Sequence, residues 1–355
     1  MAITLNGTTG VTTSTVECSG TGAMTLPVGT TAQTPSGTTG MIRYNSTLGY
    51  PEWYAATYGY WLPFGTTGGT KKAIFGYGEI ASATAITNLV SSTGVVATDT
   101  AGVGTARYRL GAASYGTDKA IFGYGANVSA VNVSVTNLVS NTGVVAADTT
   151  GVGTARNYLA AAGYGGDKAI FGYGYSTGYT AITNLVANTG VVATDTAGVG
   201  TARQSLAAAS YGGDKAIFGY GSTAGNLSMT NLVSSAGVVS ADVTGVGTAR
   251  SEIAAASYGG DKAIFGYGYV TGTVSMTNLV SNTGVVSSDV TGVGTARYAP
   301  GAAGYGADKA IFGYGYTTGN VSMTNLVSNT GVVATDTTGV GTARNGLKAA
   351  GYSLS

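Results

Sequence analysis

One six-residue segment recurs through most of the chain and constrains its fold more than any other feature. Ala-Ile-Phe-Gly-Tyr-Gly occurs six times, at successive spacings of 47, 49, 47, 47 and 47 residues. The copies start at Ala73, Ala120, Ala169, Ala216, Ala263 and Ala310. Self-similarity at a period of this length is typical of solenoids and propellers, in which every repeat is one small structural unit.

Each unit reads as four short strands separated by turns. In one unit the strands cover 206–211, 215–220 and 229–233, and a fourth begins at Val238. Four strands within a repeat of this length predict one propeller blade. A two-layer solenoid is the alternative. We therefore expect an all-β chain in which residues 71–355 form a six-bladed β-propeller.

The two ends of the repeat region are each incomplete, and together they make one unit. The first unit begins at Lys71-Lys72 with its second strand, and residues 346–352 repeat the sequence of a first strand. We expect this C-terminal strand to join the sheet that begins at Lys72. Such pairing would close the propeller and protect the sheet edges that an open array would expose.

The order of residue types within a unit follows a pattern that other propellers share. An arginine precedes a small apolar strand, an aliphatic-aromatic-Gly-x-Gly strand follows, and an asparagine precedes a Val-rich strand. In one unit these are Arg203, 216–221 and 231–233. The pattern resembles a kelch repeat over residues 72–352, with Gly-Tyr-Gly in place of a double glycine and without the late tryptophan. The resemblance implies a kelch-like β-propeller.

Composition argues against several classes of function. Only 9% of residues are charged and the net charge is +1, so the chain offers no basic face for nucleic acid. No apolar run approaches the roughly 18 residues of a membrane span, and the N-terminus lacks a secretory signal. Without histidine, the commonest general base and metal ligand is missing. We expect no enzyme activity, no cofactor, no metal site, no nucleic-acid partner and no membrane insertion.

Most charged side chains recur at the same position of every unit, and we call such residues template residues. All eleven aspartates are of this kind: six precede an arginine by eight residues, and five lie in an Asp-Lys turn that the first unit replaces with Lys71. The template arginines are Arg107, Arg156, Arg203, Arg250, Arg297 and Arg344. Their recurrence predicts a structural role, because an arginine fork can bond carboxylates or backbone carbonyls between blades.

Four charged side chains of the repeat region do not recur: Glu79, Arg109, Glu252 and Lys348. Glu79 belongs to the first unit and Glu252 precedes the fifth, so we expect them to lie two blades apart in a closed ring of six. A glycosidase needs two carboxyls within about 5–10 Å of each other. This spacing offers no obvious catalytic pair.

The six units differ mainly in two stretches, the loop between the second and third strands and the residues after each Thr-Ala-Arg. In an up-and-down blade both emerge on one face. Tyrosines with small polar neighbours make an adaptable contact surface, and their rings could stack on sugars. The predicted receptor-binding residues are Tyr108, Arg109, Tyr158, Tyr175, Tyr179, Glu252, Tyr269, Tyr298, Tyr316 and Asn320. Drift in exposed loops is the alternative.

Residues 1–70 follow different rules and contain no copy of the repeat. Residues 41–45 and 50–54 read as two strands flanking a turn, and 60–64 add an aromatic cluster. So small a region with few core residues seldom folds alone, so we expect docking or oligomerisation. Cys18, the single cysteine, cannot form an intrachain disulfide.

Part of this region is similar to segments of tailed-phage structural proteins, particularly tail fibres and other virion appendages. The matching residues are 26–35, 40–45 and 52–54, within a resemblance that covers about residues 1–65. It implies a virion-surface subunit that contacts other virion proteins through residues 1–70, as a homo-oligomer such as a trimer. The propeller would recognise a host surface glycan or protein. A purely structural or decorative virion propeller and a lectin-like adhesin are the alternatives.

Overall fold

The computed structural model describes residues 27–30, 41–46, 50–55, 60–63 and 71–353. These residues form 24 β-strands and no helix, and therefore none that could cross a membrane. The chain divides into two compact units, residues 1–67 and 68–355. Cys18, most of the Thr- and Gly-rich stretch and the end of the aromatic cluster at residue 64 lie outside the described residues.

The described residues of the first unit form one four-stranded sheet. Its strands, in sheet order, are β1 (Val28–Gly29), β2 (Ile42–Asn45), β3 (Tyr50–Ala55) and β4 (Tyr60–Pro63). The two strands predicted around 41–54 are thus present, and they pair antiparallel. Arg43 and Glu52 face each other across this pair as a buried ion pair, to which Asn45 adds a 3.3 Å hydrogen bond.

The second unit contains twenty strands, of which eighteen form six separate three-stranded antiparallel sheets. The strands are β5 (Lys72–Gly76), β6 (Thr87–Val90), β7 (Arg107–Tyr108), β8 (Gly111–Tyr115), β9 (Lys119–Gly123), β10 (Ala126–Asn127), β11 (Thr136–Val139), β12 (Ala160–Tyr164), β13 (Lys168–Gly172), β14 (Thr183–Val186), β15 (Ala207–Tyr211), β16 (Lys215–Gly219), β17 (Thr230–Val233), β18 (Ala254–Tyr258), β19 (Lys262–Gly266), β20 (Thr277–Val280), β21 (Gly301–Tyr305), β22 (Lys309–Tyr316), β23 (Asn320–Val327) and β24 (Lys348–Tyr352). β7 and β10 make a separate two-stranded pair.

The fourth strand predicted for each unit is not a continuous strand. In the unit that contains β17, residues 239 and 243 each form only an isolated bridge to that strand. Between the bridges, the side-chain amide of Asn231 donates to the carbonyl of Ser240 at 3.0 Å. The side-chain amide of Asn231 therefore bonds a carbonyl that a backbone N–H of β17 would otherwise use. The stretch from 239 to 243 consequently forms a bulge beside β17 instead of a continuous strand.

The recurring Ala-Ile-Phe-Gly segment forms the middle strand of each sheet and is buried. Phe218 of β16 packs on Gly172 of the preceding sheet, where an added Cβ would lie 2.7 Å from the phenylalanine ring. Phe218 also meets the ring of Tyr173 edge-on, with 5.1 Å between centroids. The glycine recurs because the next sheet's phenylalanine needs its space.

Hydrophobic clusters join each sheet to the next. Six such clusters are present, and one of them packs Tyr314 of the last complete unit against Phe75 and Leu347 of the first. β24 pairs antiparallel with β5, from Lys348↔Gly76 to Tyr352↔Lys72. The C-terminal strand thus joins the sheet begun at Lys72, as the sequence predicts. The result is a propeller-like array of small antiparallel sheets.

Candidate functional site

The two variable stretches of each unit lie side by side. Isolated β-bridges join Asn157 to Tyr175 and Tyr175 to Tyr179, and the equivalent bridge in another unit joins Tyr298 to Tyr316. In the first and third of these bridges, a residue that follows a template arginine pairs with the loop after Gly-Tyr-Gly, and the second bridge lies within that loop. The residues that differ between units therefore form a shared surface at one end of the sheets, which we call the variable face.

A hydrogen-bonded ring of backbone groups lies beside the variable face. Its members each follow a template arginine by two positions and are Arg109, Tyr158, Ser205, Glu252, Ala299 and Gly346. Each backbone N–H donates to the carbonyl of the member in the preceding unit, at 2.7–3.1 Å, and the sixth bond returns to the first member. We call this set the six-residue ring.

All members of the six-residue ring have left-handed backbone, with φ between 52° and 60°. Only one member, Gly346, is a glycine, the residue that adopts this conformation without steric cost. For any other residue the left-handed conformation costs about 1–2 kcal/mol. Because the residue type differs at all six positions, the ring backbone does not dictate it. Non-glycine side chains held at such a position are candidates for function.

Three of the four non-recurring charges meet at the six-residue ring. Arg109, Glu252 and Lys348 line one cavity together with Tyr158 and Ser205. The cavity measures about 10 Å³, which is room for about one water-sized group. Ser205 Oγ donates to Glu252 Oε1 at 3.3 Å. Among the described residues, neither cation forms an ion pair.

Removal of water changes the acid–base behaviour of this cavity. Burial raises the pKa of Glu252, although Arg109 and Lys348 oppose the change. Burial lowers the pKa of Lys348, against the effect of Glu252. The pKa of Tyr158 is raised, mainly by burial and further by Glu252. All three groups therefore share one poorly hydrated site that favours their neutral forms more than water does.

Arg109 is held by aromatic rings. Its guanidinium carbon lies 4.3 Å from the ring centre of Tyr158 and 4.8 Å from that of Tyr108. Cation–π contacts of this kind stabilise a guanidinium without using its N–H groups. No acceptor from the described residues bonds to its side chain. A partly buried guanidinium with unused donors is chemically suited to an anionic ligand.

A row of three further tyrosines lies near the charged cavity without lining it. The centroid of Tyr298 lies 5.8 Å from that of Tyr269 and 5.3 Å from that of Tyr316. Burial raises the pKa of Tyr298, and the nearby charges of Glu252 and Arg109 also act on it. This row of three tyrosines is therefore close enough to the cavity for its charges to act on Tyr298, and it reaches the surface at Tyr269.

A second aromatic pair lies in a neighbouring unit. Tyr175 and Tyr179 meet edge to face at 5.7 Å between centroids. Their exposed fractions are 37% and 42%, and that of Tyr269 is 40%. These rings present apolar surface to solvent on the variable face, as a contact surface requires.

The variable asparagines are used mainly within the protein. Asn226 donates to the backbone carbonyl of Tyr269 in the next unit at 3.1 Å. Asn320 donates to the carbonyl of Ile80 at 3.0 Å and accepts from the amide of Asn345 at 2.8 Å. These amides tie neighbouring units together, so Asn320 has fewer hydrogen-bonding groups left for a ligand than the tyrosines around it.

The template arginines have a different environment, in which each of them donates from both terminal nitrogens to acceptors within the protein, although Nε of Arg107 and of Arg297 has no partner among the described residues. Arg203 is fully buried and donates to the carbonyls of Tyr220 and Thr201, at 2.9 and 3.1 Å, and to Asn231 Oδ1 at 2.8 Å. Its guanidinium also lies 4.4 Å from the ring centre of Tyr173 in the preceding unit. These contacts use every nitrogen of the Arg203 side chain within the protein.

The aspartate that lies beside a template arginine follows it within the same unit, and is not the aspartate that precedes it by eight residues. Asp242 lies 4.0 Å from Arg203 and accepts from Asn231 and from the backbone and hydroxyl of Thr201. Asp195, which precedes Arg203 by eight residues, lies with Thr154 instead. Burial alone would raise the pKa of Asp242, but the hydrogen bonds from Thr201 and Asn231 hold it below its usual value.

The opposite end of the first strands holds a larger cavity. It measures about 160 Å³, and its wall includes Ser114, Ser210, Ser257 and Lys71. Lys71 occupies the place of the turn aspartate, and its carbonyl accepts from the N–H of Gly306 at 2.7 Å. Burial lowers the pKa of Lys71. The sequence marked Lys71 only as a departure from the aspartate pattern.

The structure brings some of the predicted site residues together and leaves others apart. Arg109, Tyr158 and Glu252 share one cavity, whereas Glu79 does not line it and bonds through its backbone to Asn345. Lys348 completes the cavity, although it was not among the predicted binding residues. Its signal in the sequence is its failure to recur, but it lies on β24 rather than in either variable stretch.

Comparison with family models and with curated proteins finds no match to this chain. The kelch and phage resemblances therefore rest on the residues quoted for them. Within the part of the chain that the structure describes, no group of three His, Cys, Asp or Glu side chains is placed to hold a metal ion.

Proposed function

We propose that this chain is a receptor-binding protein of a phage virion surface, built on a closed six-bladed β-propeller. The observation that carries the binding role is the six-residue ring, where five different side chains occupy a backbone that suits glycine. Support for six blades comes from the β24–β5 pairing and from hydrogen bonds that pass through six units and return.

The proposed ligand of the variable face is a host surface glycan. Exposed tyrosine rings offer flat apolar faces to the C–H groups of a sugar, and the phenol groups add hydrogen bonds. Tyr269, Tyr298 and Tyr316 form a row near the charged cavity. Together they supply stacking surface and polar contacts on one face.

Residues 1–70 would attach the protein to other virion proteins as a homo-oligomer, and the propeller would be the part exposed to the host. This part of the proposal rests on the resemblance to phage appendage proteins. We propose no catalytic role. Release of reducing sugars from host envelopes by the purified chain would contradict that statement.

The test is binding of the full chain to host cells and to a glycan array. We expect replacement of Tyr175, Tyr269 and Tyr316 by alanine to weaken binding at least about tenfold, because contact aromatics carry much of the energy of such surfaces. The melting temperature should change little, since these side chains reach the surface. The matched control replaces Val191, Val238 and Val285, which are 66–67% exposed. Equal binding by both triple variants would contradict the proposal.

A second candidate is a structural propeller that packs on other virion proteins. It is favoured by a valine that is 65–67% exposed in every unit: Val95, Val144, Val191, Val238, Val285 and Val332. Exposed apolar residues that recur can form an interface. Imaging the protein in its native particle decides between the two, because a buried variable face would favour the structural role.

A further inference from the structure

Arg109 differs from the template arginines in how its donors are used. Arg203 directs its three side-chain nitrogens to acceptors within the protein. Arg109 stacks between Tyr108 and Tyr158, and its side chain has no acceptor among the described residues. An arginine that is oriented but not hydrogen-bonded has its full donor edge available to a ligand.

We propose that Arg109 binds a carboxylate of the host glycan, so that the variable face selects acidic sugars over neutral ones. This inference rests on the proposed glycan-binding function and names the class of sugar. The planar guanidinium matches a carboxylate with two parallel hydrogen bonds, a geometry that neutral sugar hydroxyls do not reproduce.

The charges around the cavity favour a ligand with one negative charge. Arg109 and Lys348 are the two basic side chains of the cavity, and Glu252 is the single carboxyl group that shares it. Glu252 already accepts from Ser205. Burial raises the pKa of Glu252 and lowers that of Lys348, so it favours the neutral form of both groups. This reduces the repulsion between Glu252 and an incoming anion and leaves Arg109 as the remaining cation. An added carboxylate would therefore balance the remaining positive charge.

The size of the cavity defines how such a ligand would lie. A volume of about 10 Å³ admits a group the size of one water molecule and excludes a sugar ring. The ring would stay on the surface, against the row formed by Tyr269, Tyr298 and Tyr316. Only the carboxylate would reach Arg109, at the edge of the cavity.

Arg109 is prepared for this role before a ligand arrives. The two tyrosine rings hold the guanidinium in place, and its backbone is anchored by hydrogen bonds to Gly346 and Tyr158. Side-chain ordering is a large part of the cost of binding, and here it is met in the free protein. The left-handed backbone of Arg109, with φ of 54°, accompanies this orientation.

The experiment measures binding of the full chain to paired oligosaccharides. Oligogalacturonate, oligoglucuronate and sialyllactose are each compared with the carboxyl-reduced neutral form of the same sugar. We expect at least one acidic member to bind about 10- to 100-fold more tightly than its neutral form, as for hydrogen bonds to charged groups. Arg109→Gln should remove this difference, and Arg109→Lys should keep only part of it.

The control is Lys72→Gln, which removes the same charge from an exposed site on β5 and should leave the preference unchanged. Melting temperatures confirm that all variants are folded. Equal binding of acidic and neutral forms would overturn the inference but leave glycan binding intact. A preference that survives in Arg109→Gln would also overturn it. Binding to poly-glutamate and to no sugar would overturn both the inference and the proposed glycan function.

Discussion

Arg203 and Arg109 lie in the same repeat array, yet their environments have little in common. Arg203 is buried and hydrogen-bonded by its own and neighbouring segments, and an arginine recurs at this position in all six units. Arg109 is partly buried, occurs in one unit and stacks on tyrosines. A buried cation must have its hydrogen bonds satisfied inside the protein, whereas a side chain at the surface need not. Residues that recur in every unit, such as Arg203, therefore belong to the scaffold, whereas Arg109, which occurs in one unit, belongs to the candidate site.

The same contrast applies to strained backbone. Tyr220, a template residue, also has positive φ, but its hydroxyl donates to Val246, its ring meets Phe265, and Arg250 stacks on it. These contacts compensate for the conformation in every unit. The six-residue ring has no common side-chain arrangement of this kind, so its strain is tied to individual side chains.

The largest predicted effect comes from the scaffold arginine. Arg203→Ala should lower the free energy of unfolding by about 3–5 kcal/mol, because it leaves a cavity and unpaired buried acceptors. Thermal and denaturant unfolding measure this loss. Glycan binding by the folded variant should persist. Loss of binding with an unchanged melting temperature would reverse the roles assigned to Arg203 and Arg109.

A scaffold glycine should be the next most sensitive position. An added Cβ at Gly219 would lie 2.6 Å from the ring of Phe265 in the next sheet. Gly219→Ala should therefore destabilise the protein by about 1–3 kcal/mol through overpacking. Denaturant unfolding provides the measurement, and an unchanged midpoint would show that the packing between sheets is looser than described.

Acid should weaken the scaffold through its aspartates. Hydrogen bonds that outweigh burial lower the pKa of Asp242 in the folded state from 3.8, so the unfolded chain binds protons more readily. This contribution is present above pH 3.8 and is lost as the pH falls through the lower folded value. The melting temperature should drop in that range, and less steeply in Asp242→Asn than in the parent protein. If the melting temperatures of the two proteins fall equally steeply with pH, the hydrogen bonds to Asp242 do not contribute to stability.

The smallest effect is expected in the six-residue ring. Gly346→Ala should cost about 1 kcal/mol, because φ is 60° but the nearest atom to an added Cβ is 3.6 Å away. Its counterpart, Ser205→Gly, should be neutral or slightly stabilising. Paired melting curves test both. A cost at Gly346 as large as that at Gly219 would mean that the ring is as tightly packed as the scaffold.

Much of the fold could be predicted because the repeat carries its own constraints. The Ala-Ile-Phe-Gly strands, the all-β class and the pairing of the C-terminal strand with the one that begins at Lys72 agree with the structure. The prediction of a continuous fourth strand in each unit was wrong. In the unit of β17, the side chain of Asn231 bonds to the carbonyl of Ser240 and interrupts the backbone hydrogen-bond ladder. Strand propensity alone does not reveal such competition.

The candidate site could be predicted only in part. Setting aside the residues that recur identifies Arg109, Glu252 and Lys348 in the sequence. It does not predict that these three side chains meet in one cavity. The aspartate beside Arg203 was also not apparent, since Asp242 lies at the other end of the same unit, far from Arg203 in the sequence.

By itself, the sequence determined which residues recur, and therefore which belong to the common scaffold and which are particular to one unit. Tertiary structure alone decided which of the particular residues meet. The physical reason is that hydrogen bonds between units place Arg109, Glu252 and Gly346 in one backbone ring, although they are far apart along the chain. A periodic sequence specifies what each unit contains, and the packing of sheet on sheet decides what the units place together.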